Sequence, residues 1–479
     1  MSDLLRRRRS LLTPAVALLV MTGCGATASV QAAPGTEVDP PPPPVTPVTP
    51  PKPADDDHGS VSKTYPAFPP SIAQLVKSPG RVLKSPVVVT VTWNDDPNVA
   101  KLESVGDLIG ASSYWKDVIS EYGVGPVTSG PANHVHLSTP IVLPGGQNAD
   151  PVQPIVDLIT AALGNPAVSG WPEPTDDTLY LVYLHGDNAK KLCNSGAGGL
   201  HDSLTVNGKE IPFAIAAACA SDDGKSTALD SATVSASHEI GEASVDPFPS
   251  TAPAWVGLRK EDLAWELLQM GQDENGDMCE FNPDSEGPYG APQLTFHVQR
   301  QWSNASALAG HAPCVPIPPG EANINVAALE PFDTVTAKLD PQDYPFDPES
   351  KGYVIPVGKT RKIPLGLYSD GPTADFQIDA FEGDPFDFEG TPFVPSTRPT
   401  LEITLDKNSG QNGQKAYLSV TVNQATPQQV SLVVVRSRLG LVDHVMPILI
   451  GTEGKAGKRI APRHVPASSR PRIRMSSRR

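Results

Sequence analysis

Residues 235–247 read Ser-Ala-Ser-His-Glu-Ile-Gly-Glu-Ala-Ser-Val-Asp-Pro, and their ionisable groups fall at helical spacing. Positions i, i+4 and i+8 lie at about 0°, 40° and 80° around a helix axis. His238, Glu242 and Asp246 therefore share one face. Pro247 disfavours helical geometry at the residue before it, which sets Asp246 at the helix end. Glu239 stands about 100° from His238, where a general base flanks a metal without binding it. In the helical pattern His-Glu-x-x-His the second histidine would stand at 242, and a carboxylate stands there instead. Imidazole plus carboxylate is workable zinc chemistry. A site with more carboxylates also suits a harder ion. The opposing reading is a structural helix with an acidic face and a buried histidine. Its neighbours are small or apolar (Ala232, Val234, Ala236, Ile240, Ala243, Val245). Ionisable groups in such company are costly unless paired or metal-bound.

A second acidic segment carries Asp273, Asn275 and Asp277 in alternation before Cys279. The alternation resembles a calcium loop, so calcium is the alternative ion. However, Met278 stands where an EF-hand has glycine, and Asp284 where it has a bidentate glutamate. A polar turn fixed by a Cys279 disulfide is the competing reading. Asp277 is a candidate ligand alongside Asp246. His185 and His201 are further candidates, each also readable as a hydrogen-bonded structural histidine.

The cysteines bear on compartment. There are five: Cys24, Cys193, Cys219, Cys279 and Cys314. Arg6–Arg9 followed by the apolar run Leu11–Thr22 has the form of an export signal, too short for a typical spanning helix. Val20-Met-Thr-Gly-Cys24 resembles a lipoprotein processing site, with Cys24 lipidated and the membrane reached through that anchor. Cleavage after Ala32 or Ala33, giving a plainly secreted protein, is the alternative. With Cys24 set apart, four cysteines remain, an even set for an oxidising compartment. Sequence proximity favours Cys193–Cys219 and Cys279–Cys314. Loops of that size would contribute roughly 3–4 kcal/mol each.

Composition then places the elements. Nine of the fourteen residues 40–53 are proline, which makes residues 33–70 a tether with a stiff stretch of about 40 Å. The net charge of −16 argues against nucleic acid as a partner. Strands are predicted at Val87–Trp93, Val135–Val142, Leu179–His185 and Ile211–Ala217, and helices at 97–121, 154–163 and 228–244. Asp230 or Ser231 is placed to cap the last helix. This alternation reads as an α/β domain over 71–316. Residues 321–452 hold seven short strand-like runs separated by Gly, Pro, Asn and Asp, which reads as an all-β sandwich. Residues 453–479 read as a basic, disordered tail, with nine Lys or Arg from Gly454 onward.

The residues around His238 carry a resemblance. Ser-His238-Glu-Ile-Gly-Glu-Ala-Ser-Val-Asp-Pro is similar to the His-Glu-Leu-x-Glu-Ala-x-Thr-Asp-Pro signature of phosphate-induced, EXORDIUM-like proteins and their bacterial relatives. Ser113-Tyr-Trp with Glu121-Tyr-Gly-Val-Gly, Cys193 with His201, Gly276-Asp-Met-Cys279, and Gln301-Trp-Ser-Asn-Ala with Cys314 follow in the family's order. Val245 departs from it, standing where the family has threonine. The resemblance spans roughly residues 80–316 and implies extracellular proteins with metalloprotease-like bacterial members.

These readings converge on an exported lipoprotein, in the outer membrane or at the cell surface. It would carry a zincin-like α/β domain followed by the β-sandwich. Zinc would be held by His238, Glu242 and one of Asp246 or Asp277. Glu239 would activate water toward a polypeptide or cell-envelope polymer. The rival expectation is a non-catalytic envelope or extracellular binding protein whose His/Glu/Asp cluster is structural. Oligomeric state is left open.

Overall fold

The β-branched run Val87–Trp93 (β1) is the second strand of a five-stranded sheet. The sheet also holds His134–Leu137 (β2), Thr178–Leu184 (β3), Gly199–Val206 (β4) and Lys209–Ala217 (β5), in the order β2-β1-β3-β5-β4. All neighbours are parallel except β4, which joins β5 antiparallel at one edge. The chain is seen here as a computed structural model. It describes residues 57–455 apart from 71, 145–149, 195–196, 220–225, 270–273, 281, 283, 318–319, 340–346 and 386–392. The expected signal segment, Cys24, most of the expected tether, Asp273 and nearly all of the basic tail lie outside the described residues. Contacts divide the chain into Met1–Asp57 and His58–Arg479, and the fold described belongs to the second unit.

Each strand shows one set of residues to each face of the sheet. Val88, Leu179, Leu181, Tyr183, Ala214 and Ala216 pack toward helices Val99–Ile109 (α1), Ser113–Ile119 (α2) and Ala228–Val245 (α4). Val89, Val91, Tyr180, Val182, Phe213 and Ile215 pack toward Gln153–Gly164 (α3). A sheet covered on both faces needs nearly continuous apolar strands, which is why β1 and β3 were legible from sequence.

Four elements depart from expectation. The helix predicted over 97–121 breaks between α1 and α2. A Cβ at Gly110 would lie 2.0 Å from the carbonyl oxygen of Val127, so the chain passes too closely there for any side chain. Ser112 then caps α2 by accepting from the Trp115 amide at 3.2 Å. The strand predicted over Val135–Val142 ends at Leu137. β4 was not predicted, because Gly199, His201, Asp202 and Ser203 interrupt any apolar alternation. The cap of α4 is Thr227, one turn before Ser231. Its hydroxyl accepts from the Asp230 amide and the Asp230 carboxylate accepts from the Thr227 amide, each at 3.1 Å, a reciprocal box.

From residue 324 onward the described chain is strand-rich. One sheet has four strands, Ile324–Ala328, Thr360–Ser369, Lys415–Val422 and Leu401–Leu405. The other has seven, with Phe376–Gly383, Val430–Leu439, Val442–Gly451 and Glu349–Val354 at its centre. Their facing residues share one apolar cluster, and that cluster continues under α4. Ile324–Ala328 and Glu349–Val354 are strands that the sequence did not reveal. The rings of Trp265 and Trp302 meet edge to face at 5.6 Å where the two regions join.

Candidate metal centre

From Ala232 to Val245 the only residue of α4 that is not buried is Ser235, an unusual setting for a helix bearing His238, Glu239 and Glu242. It lies across β5 and β4 on one side and against Val298–Gln299 on the other. The stretch from Val298 to Trp302 is held by two tyrosines from the helical layer. The Tyr114 hydroxyl donates to the carbonyl of Gln299, and that of Tyr122 to the carbonyl of Trp302. Both tyrosines belong to the ordered companions seen in the sequence.

His238 is oriented from outside the cluster. Its Nδ1 lies 2.9 Å from Gln299 Oε1. The Gln299 amide is itself turned by donating Nε2–H to the Gly276 carbonyl at 2.8 Å, so its oxygen faces the imidazole. Nδ1 is therefore the protonated nitrogen, and Nε2 points inward. Nε2 lies 3.0 Å from Glu242 Oε2 and 3.5 Å from Asp277 Oδ1. Ligand atoms 2.0–2.1 Å from a tetrahedral zinc stand about 3.3 Å apart. His238, Glu242 and Asp277 thus form a group that could hold a metal ion.

Glu242 is anchored in turn. Its Oε1 accepts from the backbone amides of Gly276 and Asp277, both at 3.0 Å, which leaves Oε2 for the imidazoles. A Cβ at Gly276 would come within 2.7 Å of Glu242 Oε1, so that close approach needs glycine. Cys279, two residues beyond Asp277, is bonded to Cys314, and Cys193 to Cys219. These are the pairings that proximity favoured. Two disulfides point to a non-reducing, extracellular setting.

His201 is one of the two further histidine candidates, and the fold brings it in. Its Nδ1 lies 3.4 Å from Glu239 Oε2, 3.4 Å from Glu242 Oε2 and 4.0 Å from Glu274. His201, Glu239 and Glu242 form a second group within ligand reach. His185 stands elsewhere, 3.3 Å from Asp95. Asp246 joins neither group. Its carboxylate accepts from the Ala254 amide at 2.6 Å, while its backbone carbonyl takes the Nε2 proton of His201 at 3.2 Å. Asn275 turns toward Gln301, with Nδ2 2.6 Å from Oε1, while Asp277 faces His238. The calcium-like alternation thus sends its described members to different partners.

The electrostatics follow from burial and crowding. Burial pulls both imidazoles toward neutrality, but the facing carboxylates outweigh it. His201 and His238 are held well above the ordinary histidine range. Burial raises Glu239. Burial and the neighbouring Glu242 charge push Asp277 up to about 7. Burial would raise Glu242 too, yet the two imidazoles reverse the sign and lower it. The cluster sets the carboxylates of Glu239, Glu242, Asp277 and Glu274 around two imidazoles, a crowding of acidic groups that a divalent cation would relieve.

A third group, Asp284, Glu321 and His444, also falls within ligand reach. The buried guanidinium of Arg300 already donates to Asp284, so a cation occupies that place. No protein-family model matches the chain, and no curated protein matches it either.

Two outcomes follow from this scaffold. Replacing Gln299 by Ala removes the acceptor that sets the His238 tautomer. Metal affinity should fall about 10–100-fold, read by competition with a chromophoric chelator. Unchanged affinity would show that Gln299 does not orient the ligand. A Cβ at Gly241 would lie 2.2 Å from the amide nitrogen of Gln301. That amide is buried and donates to the Ser237 carbonyl at 3.0 Å, so it cannot swing aside freely. Gly241→Ala should cost about 1–3 kcal/mol in denaturant unfolding.

Proposed function

We propose that this chain is an exported metal-dependent hydrolase of zincin-like type, related to the EXORDIUM-like proteins, that acts on polypeptide outside the cell. The observation that carries this reading is the His238–Glu242–Asp277 group, whose inward atoms lie within ligand reach of one another and in which His238 and Glu242 are fixed from behind. When bound there, a zinc ion would polarise a carbonyl and acidify a water. Glu239 neighbours His238 on the same helix, and its raised proton affinity suits it to take the proton of the attacking water. The water oxygen joins the carbonyl carbon, the carbon–nitrogen bond breaks, and the proton passes to the leaving amine. Support for a polypeptide comes from β4, which carries His201 and has one strand neighbour among the described residues. An extended peptide can add to such an edge through main-chain hydrogen bonds.

The arginine-rich start and Cys24 support lipidation after export, with the proline tether as spacer. The test of the function is metal content combined with hydrolysis. Stoichiometric zinc, lost in His238→Ala together with cleavage of a fluorogenic peptide library, is the expected result. A binding protein is the second reading, favoured by one observation: with both imidazoles protonated, the cluster already pairs internally. Metal-free protein whose stability ignores chelators would overturn the hydrolase.

A further inference from the structure

We propose that the cluster is a two-cation centre, in which a second divalent ion is held by His201 Nδ1, Glu239 Oε2 and Glu242 Oε2, with Glu242 bridging the two ions. This rests on the reading of the first ion at His238, Glu242 and Asp277.

Four observations carry it. The first is a shared atom. Glu242 Oε2 lies 3.0 Å from His238 Nε2 and 3.4 Å from His201 Nδ1, so two imidazoles bracket one carboxylate oxygen. Both separations suit ligands of one tetrahedral ion, as does the 3.4 Å between His201 Nδ1 and Glu239 Oε2.

The second is the matching orientation of the histidines. His201 gives its outer proton to the Asp246 carbonyl, as His238 gives its own to Gln299. Each therefore presents its other nitrogen to the carboxylates, the arrangement by which outer hydrogen bonds set metal-binding histidines.

The third is Glu239 Oε2. It is buried and has no hydrogen-bond donor in bonding geometry, and the Glu239 side chain is only 5% exposed. A buried carboxylate oxygen in that state is unfavourable unless a cation satisfies it. The fold also makes room for this carboxylate, since a Cβ at Gly199 would fall 2.5 Å from Glu239 Oε1.

The fourth is charge. Glu239, Glu242, Asp277 and Glu274 surround two histidines. Two divalent ions with neutral imidazoles would balance four carboxylates. One ion with neutral imidazoles would leave two carboxylate charges to be met by protons in a buried place.

Occupancy of the second position changes the role of Glu239. With one ion Glu239 is the proton acceptor, and with two it is a ligand. Pairs of ions about 3.5–4 Å apart serve hydrolysis by stabilising both the attacking and the leaving group.

The test is zinc stoichiometry on the purified full chain, by elemental analysis after loading and dialysis, with far-ultraviolet circular dichroism to confirm folding. Two zinc ions per chain are expected, falling to one in His201→Ala and to one in Glu239→Gln. The latter substitution keeps the side-chain shape, so it stands in if His201→Ala fails to fold. Wild-type protein loaded with manganese(II) should also show the paramagnetic resonance of a coupled pair, which needs no variant. One zinc per chain, kept in Glu239→Gln and lost in His238→Ala, overturns the second ion and leaves the single-ion hydrolase standing. Two zinc ions that persist in Glu239→Gln overturn the ligand assignment. No zinc in the wild type defeats both readings.

Discussion

Glu242→Gln is expected to strip the protein of zinc while leaving it folded. The glutamine oxygen can still accept from the amides of Gly276 and Asp277, which keeps the loop in place. The inward oxygen and its charge are lost, and both imidazoles lose the carboxylate they share. The fall in affinity should exceed the roughly 10–100-fold that outer hydrogen-bond partners contribute. Glu242→Ala removes the loop acceptor as well. Two buried amides and two buried imidazoles are then short of a partner, and the cost should reach about 3–5 kcal/mol. Zinc analysis and denaturant unfolding of the pair separate the two effects. Zinc retained at wild-type affinity in Glu242→Gln would remove Glu242 from the centre.

The second large effect is a reversal with pH. In metal-free protein, His201, His238, Glu239 and Asp277 all bind protons more tightly when folded than when unfolded. A group with a raised folded value stabilises the fold below its unfolded value, and that contribution disappears as pH climbs through the folded one. For Asp277 the window runs from 3.8 to about 7. For the histidines it opens above 6.5. Glu242 has the opposite sign, and its contribution is lost only as pH falls below the ordinary carboxylate range. Chelated protein should therefore lose stability between pH 5 and pH 8. One pH unit of displacement is worth about 1.4 kcal/mol, so the loss is on the order of 2–4 kcal/mol. Zinc competes with the same protons, so its stabilisation should grow over that interval. Melting curves with zinc and with chelator should diverge as pH rises. Parallel curves would mean that metal and protons do not share these groups.

The parts of the fold that were legible are those where a single local signal suffices. β1 and β3 announced themselves as continuous apolar runs. α4 was legible in extent but not in its cap, because Thr227 and Asp230 act as a pair. β4 stayed hidden because polar residues break its apolar alternation, and one of them, His201, serves the centre rather than the core. The split between α1 and α2 depends on how closely Gly110 passes Val127, a contact that no local pattern encodes.

The centre divides in the same way. His238 and Glu242 share a helical face and could be read together. The rivalry between Asp246 and Asp277 could not be decided from spacing, because the turn after α4 sends the Asp246 carboxylate to Ala254. His201 lies far from α4 in sequence and arrives on an edge strand, with only a cysteine nearby as a hint. Gln299 and Gln301 are uncharged, and nothing in their sequence context marks them as supports for a histidine or a helix.

The bond between Cys279 and Cys314 gives the centre a history as well as a shape. It closes a loop that contains Gln299 and Gln301 and begins two residues after Asp277. Oxidation of one thiol pair therefore gathers an inward carboxylate, the group that orients His238 and the group that braces α4. A newly made chain in a reducing compartment lacks that gathering step. On the proposed reading, assembly of the centre would be ordered in time: crossing to the oxidising side first and competence for metal second. On that reading, a hydrolase built this way would stay idle among the proteins of the cell that makes it.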